Sequence, residues 1–324
     1  MRFGLLCTAD VDTTQAIRDH VELNVEAEAS GFVSSFLVEH HFSGWNQVAA
    51  TLMLQTCVAT GTSSLRLGTG VMVLPWHNPV LLAEQAATLD VISGGRVDLG
   101  VGKGYRHSEF RGFNVDPGDA DARFTEALDV LIRAWTSRER FSHHGPQWDF
   151  DDIVVEPPPL QSPHPPIWVA AASEGSVRRA ASQGHRLLLD QYASVDQIAA
   201  RIGWFGPGEI AVARQVYVAH SRAEAEEALA RQAAFTKRTV EVSRAPSSSG
   251  GSHVLGYADT ERHALFGTPD EVGEGLAALA RVGVDYVLVQ LAGGRGQVRR
   301  FARDVLPAAS AVAVGHQADL LEHP

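Results

Sequence analysis

Cysteine is scarce, and nothing surrounds it that would put it to use. The two thiols, Cys7 and Cys57, belong to no C-x-x-C pair and to no Cys/His cluster, which excludes a zinc site of the usual spacing. A chain of 324 residues, 45% of them hydrophobic, needs no disulfide framework, and its thiols suit a reducing compartment. Long apolar runs are missing as well. The opening stretch turns polar at Thr8–Asp12, too early for a signal-peptide core, and no segment reaches membrane-spanning length. A cytoplasmic protein is expected. No run of Lys and Arg offsets the formal net charge of −11, so neither nucleic acid nor an anionic membrane is an expected partner. A phosphate-bearing ligand would need a local cationic pocket. There is no G-x-S-x-G nucleophile elbow, and no carboxylate–histidine spacing suggests a metal.

What is present is alternation. Short β-rich apolar runs read as strands at Phe3–Leu6, Ser34–Val38, Leu65–Leu74, Val97–Val101, Ile167–Ala171, Arg186–Leu189, Ile210–Ala219 and Asp285–Leu291. Helical patterns separate them. The first starts near Thr14 and sets Ile17, Val21, Val25 and Ala29 on one face before Gly31, a glycine suited to a helix end. Others run over about Asn46–Thr60, from Pro79, over about Asp121–Thr136 and from about Val195 to Ile202. Thr268-Pro269-Asp270-Glu271 is a helix start with a cap and acids in the first turn. Two stretches break the rhythm. Residues 140–166, rich in proline, read as an insertion after the fourth helix with a short hairpin. Residues 240–262 carry a Ser/Gly-rich loop after a long helix. Eight buried strand–helix units predict one parallel (β/α)8 TIM barrel domain over 1–324. The competing open sheet lacks its G-x-G-x-x-G signature after the first strand.

Barrel chemistry belongs at the C-terminal ends of the strands. There the sequence places Glu39-His40-His41-Phe42, Pro75-Trp76-His77, Gly102-Lys103-Gly104-Tyr105-Arg106, Ala172-Ser173-Glu174-Gly175-Ser176, Asp190-Gln191-Tyr192 and Gln290. The Gly102–Gly104 turn lets backbone approach a ligand and supplies a cation. Ser173 and Ser176 open a helix, whose free N–H groups favour an anion. Together they suggest a phosphate cradle, although a turn and an N-cap explain each part alone. Adjacent histidines are more often structural than chemical. Glu39 either orients an imidazole or pairs with an arginine. Phe42, Trp45, Trp76, Tyr105 and Tyr192 suit either an apolar substrate pocket or ordinary barrel packing.

Phe36–Phe42, Gly68–Pro75 with Asn78-Pro79-Val80, Ile92–Gly102, Phe266–Glu271 and Gly283-Val284-Asp285 together resemble the luciferase-like flavin monooxygenases, including the bacterial luciferase α subunit. The resemblance spans roughly residues 1–307. It implies FMN on the C-terminal rim, with phosphate ligands at Lys103, Arg123, the Ala172 backbone, Ser173 and Ser176. It implies a flavin contact at Gly70 and Val71, joined by a non-proline cis peptide, and at Gly102. It makes His40 the catalytic histidine, with His41 beside it. The implied reaction uses FMNH2 from a separate flavin reductase and O2, through a flavin hydroperoxide that attacks an aldehyde-like or other small organic substrate. It also implies a homodimer and a mobile lid at 240–262. Gly102 stands where luciferase has a cysteine, which is expected to leave room over the ring and puts light emission in doubt. A deazaflavin-dependent dehydrogenase and a non-catalytic flavin-binding protein are the alternatives on this fold.

Overall fold

In a computed structural model the chain is described over residues 1–45, 47–243 and 260–310. Every residue of Ser34–Leu37 and Val97–Gly102 is buried, as a strand covered on both faces requires. The strands are β1 (Arg2–Cys7), β2 (Ser34–Leu37), β3 (Arg66–Thr69), β4 (Met72–Val73), β5 (Val97–Gly102), β6 (Phe141–His144), β7 (Asp149–Ile153), β8 (Ile167–Ala170), β9 (Arg186–Leu189), β10 (Ile210–Val218), β11 (Leu265–Gly267) and β12 (Tyr286–Leu291). Parallel pairing runs β1-β2-β3-β5-β8-β9-β10-β12, and β12 pairs with β1 to close the eight-stranded barrel. Helices connect successive barrel strands, as in the (β/α)8 architecture the sequence predicts. The β6–β7 hairpin lies off the barrel, between the helix Ala120–Thr136 and β8.

Side-chain alternation divides the barrel interior into layers. Near the N-terminal mouth, Arg66 forks onto Asp98 (2.6 and 3.0 Å), Arg186 reaches the same carboxylate at 3.4 Å, and Tyr286 bonds Ser34. Above them Phe36, Trp168, Leu188, Ala211 and Leu288 pack together. Glycine makes this possible: a Cβ on Gly68 would overlap the Phe36 ring, and one on Gly4 would meet Leu288 at 2.8 Å. The lower and middle barrel are therefore full. At the upper end stand Gly70 and Gly102, which confines chemistry to that rim.

Several elements depart from the sequence reading. The long third strand is two pieces, β3 and β4, separated at Gly70-Val71, where the peptide is cis. The second helix is Thr51–Gly61; its expected start at Asn46 lies outside the described residues. The first helix, Thr14–Ala29, buries His20, Asn24 and Ala27, not the face through Val25 and Ala29. The Asn24 amide nitrogen donates to the His20 carbonyl at 2.8 Å and bonds its ring at 3.2 Å, so the two polar side chains turn inward together, with the Asn24 Oδ1 left without a partner among the described residues. Val21 and Val25 instead meet Gly61 of the next helix. The short helix His107–Gly112, β11 and the helix Gly294–Asp304 have too few periodic residues to stand out. Residues 244–259 of the expected lid lie outside the described residues. Among the described residues, no helix is long and apolar enough to cross a membrane.

The Gly68–Phe36 fit generates a stability prediction. Gly68→Ala should lower stability by about 1–3 kcal/mol, the usual cost of overpacking. Adding Phe36→Leu should recover part of that loss, a non-additivity expected of touching residues. Urea unfolding midpoints of the two single variants and the double would show it; additive losses would contradict the packing described.

Candidate active site

The end of β2 turns on a buried carboxylate. Glu39, 2% exposed, accepts hydrogen bonds from His41 Nε2 (2.8 Å), Trp76 Nε1 (2.8 Å), His77 Nε2 (2.9 and 3.0 Å) and the Val73 amide (3.1 Å). Burial pushes its pKa up, but the hydrogen bonds from His41, His77 and Trp76 outweigh that and hold it down at about 2. Of the two sequence readings, Glu39 takes the imidazole. It ties the loop after β2 to the turn after β4.

His40 has a different carboxylate. Glu109, equally buried on His107–Gly112, lies 3.1 Å from His40 Nδ1 and accepts the His41 amide at 2.9 Å. Arg106 Nη1 sits 3.6 Å from Glu109 and donates to Gln47 at 3.2 Å. A carboxylate only accepts, so Nδ1 carries the proton and Nε2 keeps its lone pair. Burial lowers the His40 basicity, the Glu109 bond raises it, and the Arg106 charge lowers it again; the net position is below the ordinary imidazole value. The ring edge faces Tyr105, with centroids 6.2 Å apart.

The aromatics do not form one wall. His41, Phe42, Trp76 and Phe113 cluster, with centroids 4.7 Å apart for His41–Phe113 and 5.1 Å for the stacked Trp76–Phe113 pair. Phe110 meets Trp76 edge-on at 5.4 Å. Trp76 is thus held by the rings of Phe113, Phe110 and His41, and its N–H is committed to Glu39. Trp45 lies away from this group, against Phe235 (6.0 Å) and under Arg238 (4.9 Å) of the helix Arg222–Ser243. Tyr192 follows β9, four strands round the barrel from β2, with its hydroxyl accepting from Gln191 at 2.9 Å. Phe42 and Tyr105 are the exposed members.

The anion cradle gathers at β5 and β8, which are neighbours. Ser173 caps the helix Glu174–Ser182, and its hydroxyl lies 2.8 Å from that of Ser176. Lys103 is paired with Asp121 at 2.7 Å, and Asp121 lies 4.0 Å from Arg179 on the Ser173-capped helix. One carboxylate therefore links the Lys103 turn to the serine helix. Arg123 is committed elsewhere: Nε donates to the Pro75 carbonyl at 2.6 Å, Nη1 lies 3.4 Å from Gln147, and the guanidinium stacks 4.9 Å over Trp148. Gly102 does not open a void, contrary to the sequence expectation: a Cβ there would sit 2.6 Å from Val71 Cγ2. The missing side chain admits Val71, which the cis peptide presents.

An ammonium, two hydroxyls and a helix N-terminus form a donor set that fits a phosphate. The sequence reading missed Glu109, Phe110, Phe113 and Asp121 and gave His77 no role beyond its place at a strand end. Their signal was weak: Glu109, Phe110 and Phe113 lie in a segment without periodicity, Asp121 reads as the start of a helix, and only the fold carries them back to the histidines or the lysine. Among the described residues no group of three or more His, Cys, Asp or Glu is placed to hold a metal.

Comparison with known proteins agrees with this geometry. The profile described as luciferase-like monooxygenase matches residues 1–286. An FMNH2-dependent dimethylsulfone monooxygenase of Pseudomonas putida is 29% identical over 315 residues, 87% of this chain and 85% of that protein. The oxygenase component of the flavin-dependent trigonelline monooxygenase of Acinetobacter baylyi is 29% identical over 244 residues, 70% of this chain and 67% of its own. Two uncharacterised proteins of Sinorhizobium fredii match over 50% and 54% of their length, so the chain spans about half of these relatives. The crystal structure of the monooxygenase RslO1 from Streptomyces bottropensis superposes with a TM-score of 0.81 at 25% identity, covering 95% of this chain and 99% of that one. With the barrel closed, the paired imidazoles braced by buried carboxylates and the profile matched over most of its length, the chain belongs to the luciferase-like monooxygenase family of flavin-dependent oxidoreductases.

Proposed function

We propose that this chain is the oxygenase of a two-component system. It would take reduced FMN from a separate reductase and insert one atom of O2 into a small organic substrate. The observation that carries the reading is the His40–Glu109 pair joined to the cradle by one short segment: Lys103 opens the stretch that ends at Glu109, six residues on. Lys103, Ser173, Ser176 and the Ala172–Ser173 backbone would hold the phosphate, and Gly70, Val71 and Gly102 would flank the ring. When bound, reduced FMN supplies the two electrons with which O2 is split, one oxygen atom going to the substrate and the other to water.

The chain's own residues have three tasks. His40 Nε2, with its lone pair, accepts a proton from the reacting group and returns it. Glu109 holds the ring in that tautomer, and Glu39 fixes the loop beneath through His41, Trp76 and His77. The rings of Phe42, Trp76 and Phe113 exclude water, while exposed Phe42 and Tyr105 present apolar surface to a substrate. A homodimer is the proposed assembly. Met53 and Leu81, 73% and 52% exposed on the helices Thr51–Gly61 and Pro79–Ser93, would lie at its contact.

The direct test supplies FMN, NADH, a generic flavin reductase and 18O2, with a panel of small aldehydes, ketones and sulfur compounds. One 18O atom should appear in a product. Flavin oxidation without any oxygenated product would favour a binder, and selective binding of a deazaflavin over FMN would favour hydride transfer.

Two variants follow. His40→Ala should cut oxygenation by about 10²–10⁴-fold, the usual contribution of a positioned acid–base, with reduced-FMN affinity unchanged; full activity would remove His40 from the chemistry. The pH profile gives a signed prediction. His40 must be unprotonated to act and its basicity lies below the ordinary 6.5, so activity should stay level through neutrality and fall only at lower pH. Glu109 raises that basicity, so Glu109→Gln should move the acid limb lower still while reducing the plateau. An acid limb displaced upward would contradict the pairing.

A further inference from the structure

Behind the serine helix lies a guanidinium that the site description has not used. Arg201, on the helix Val195–Phe205, has a side chain only 12% exposed. Its Nε donates to the Ala172 carbonyl at 3.1 Å. Its Nη1 lies 3.5 Å from Asp190 Oδ2, is buried and makes no hydrogen bond. Asp190 ends β9 and is fixed in turn by the Tyr192 amide, 2.7 Å from Oδ1. Ala172 follows β8, the neighbour of β9. A single side chain therefore ties together the ends of two adjacent barrel strands, and one of the tied atoms belongs to the peptide that enters the serine turn.

That peptide is the reason the tie matters. A trans peptide is planar, and its C=O and N–H point in opposite directions. Pinning the Ala172 carbonyl to Arg201 therefore aims the Ser173 amide away from Arg201 and fixes the start of the helix Glu174–Ser182. The charge balance points the same way. Arg214 is 2% exposed and donates to the Ala193 and Ala213 carbonyls. Burial lowers its basicity, Asp190 raises it, and Arg201 lowers it again, leaving it at about 10. Arg201 pairs with Asp190 and Arg214 feels the charges of both, so two guanidinium groups and one carboxylate stand behind the serine turn in a chain of net charge −11.

We propose that Arg201 is a positioning residue for the phosphate end of the cofactor: it aims the Ser173 amide at the anion and contributes the field that attracts it. This rests on the functional reading above, because it requires a phosphate at Ser173. It assigns Arg201 no contact with the reacting atoms.

Comparing FMN with riboflavin, which lacks the phosphate, isolates the effect. Affinities for both flavins, reduced anaerobically, would be measured by ultrafiltration for the wild type, Arg201→Gln, Arg201→Lys and Ser173→Ala. In the wild type FMN should bind more tightly than riboflavin. Arg201→Gln should cut that preference by about tenfold or more, the scale of a charge-assisted hydrogen bond, and leave riboflavin affinity alone. Arg201→Lys keeps the charge but not the planar fork, so it should fall between the two; it also carries the test if the glutamine variant does not fold. A merely structural role would weaken both flavins together, and that result would overturn the proposal. So would an unchanged preference in Arg201→Gln while Ser173→Ala loses it, which would leave the phosphate seat intact. A wild type that binds both flavins equally would remove the seat itself, and the proposal with it.

Discussion

Two oxygens of one buried carboxylate organise the active rim. Glu39 is taken out of water at the end of β2, and a buried ionised group survives only when its lone pairs are filled. Four donors fill them, and these come from two different strand ends. The arrangement has a direction. His41 and His77 spend their Nε2–H on Glu39, so neither ring offers that nitrogen to a ligand. His40, one residue from each partner in sequence, is left to a separate carboxylate and keeps its own Nε2 available. Adjacent histidines, 15% and 13% exposed, thus acquire different partners: His40 is paired with Glu109 and His41 is tied to Glu39. Removing one partner from such a buried cluster typically costs about 3–5 kcal/mol, which is why the loop behaves as a fixed wall.

The rim is available because the rest of the barrel is not. Arg66, Asp98 and Arg186 occupy the N-terminal mouth, and the Phe36 and Trp168 rings, 5.8 Å apart and edge-on, occupy the middle. Gly68 is matched to the Phe36 ring and Gly4 to Leu288 and Ser34, so the interior closes without a pore. Gly102 belongs to the same economy of space. Its missing side chain is filled by Val71, and the surface offered to a ligand there is the valine, not a hole.

The fold was largely legible because it rests on a repeated pattern. Strands such as Val97–Gly102 are buried throughout and apolar but for Asp98, and caps such as Thr268 with Glu271 read directly as a helix start; the structure shows that capping box complete. The third strand was overextended, since Leu65–Leu74 is one largely β-prone run and no turn signal stronger than a lone glycine marks the break at Gly70-Val71. The first helix was read only in part: Ile17 and Val21 pack on the core as expected, but Val25 is exposed, because a hydrophobic count cannot anticipate the polar pair His20 and Asn24 turning inward. For the site, sequence supplied the residues at strand ends and missed their partners. Glu109 is 69 residues from His40, and only barrel closure makes them neighbours.

The cradle shows why a chain this acidic can still receive an anion. Lys103 is not a bare cation; it is paired with Asp121, but both side chains are well exposed, 41% and 62%. Such a pair is worth about 0–1 kcal/mol, so an incoming phosphate can take the ammonium at little cost. Arg201 and Arg214 differ in kind. Arg214 is buried and Arg201, paired with Asp190, is only 12% exposed, so solvent and salt screen them less than a surface lysine. The exposed lysine therefore suits capture and release, while the buried guanidinium groups supply a fixed field. The proposed cofactor, which would arrive from a reductase and leave after each turnover, suits that division: a standing field to find the site, and a weak exchangeable contact to let go of it.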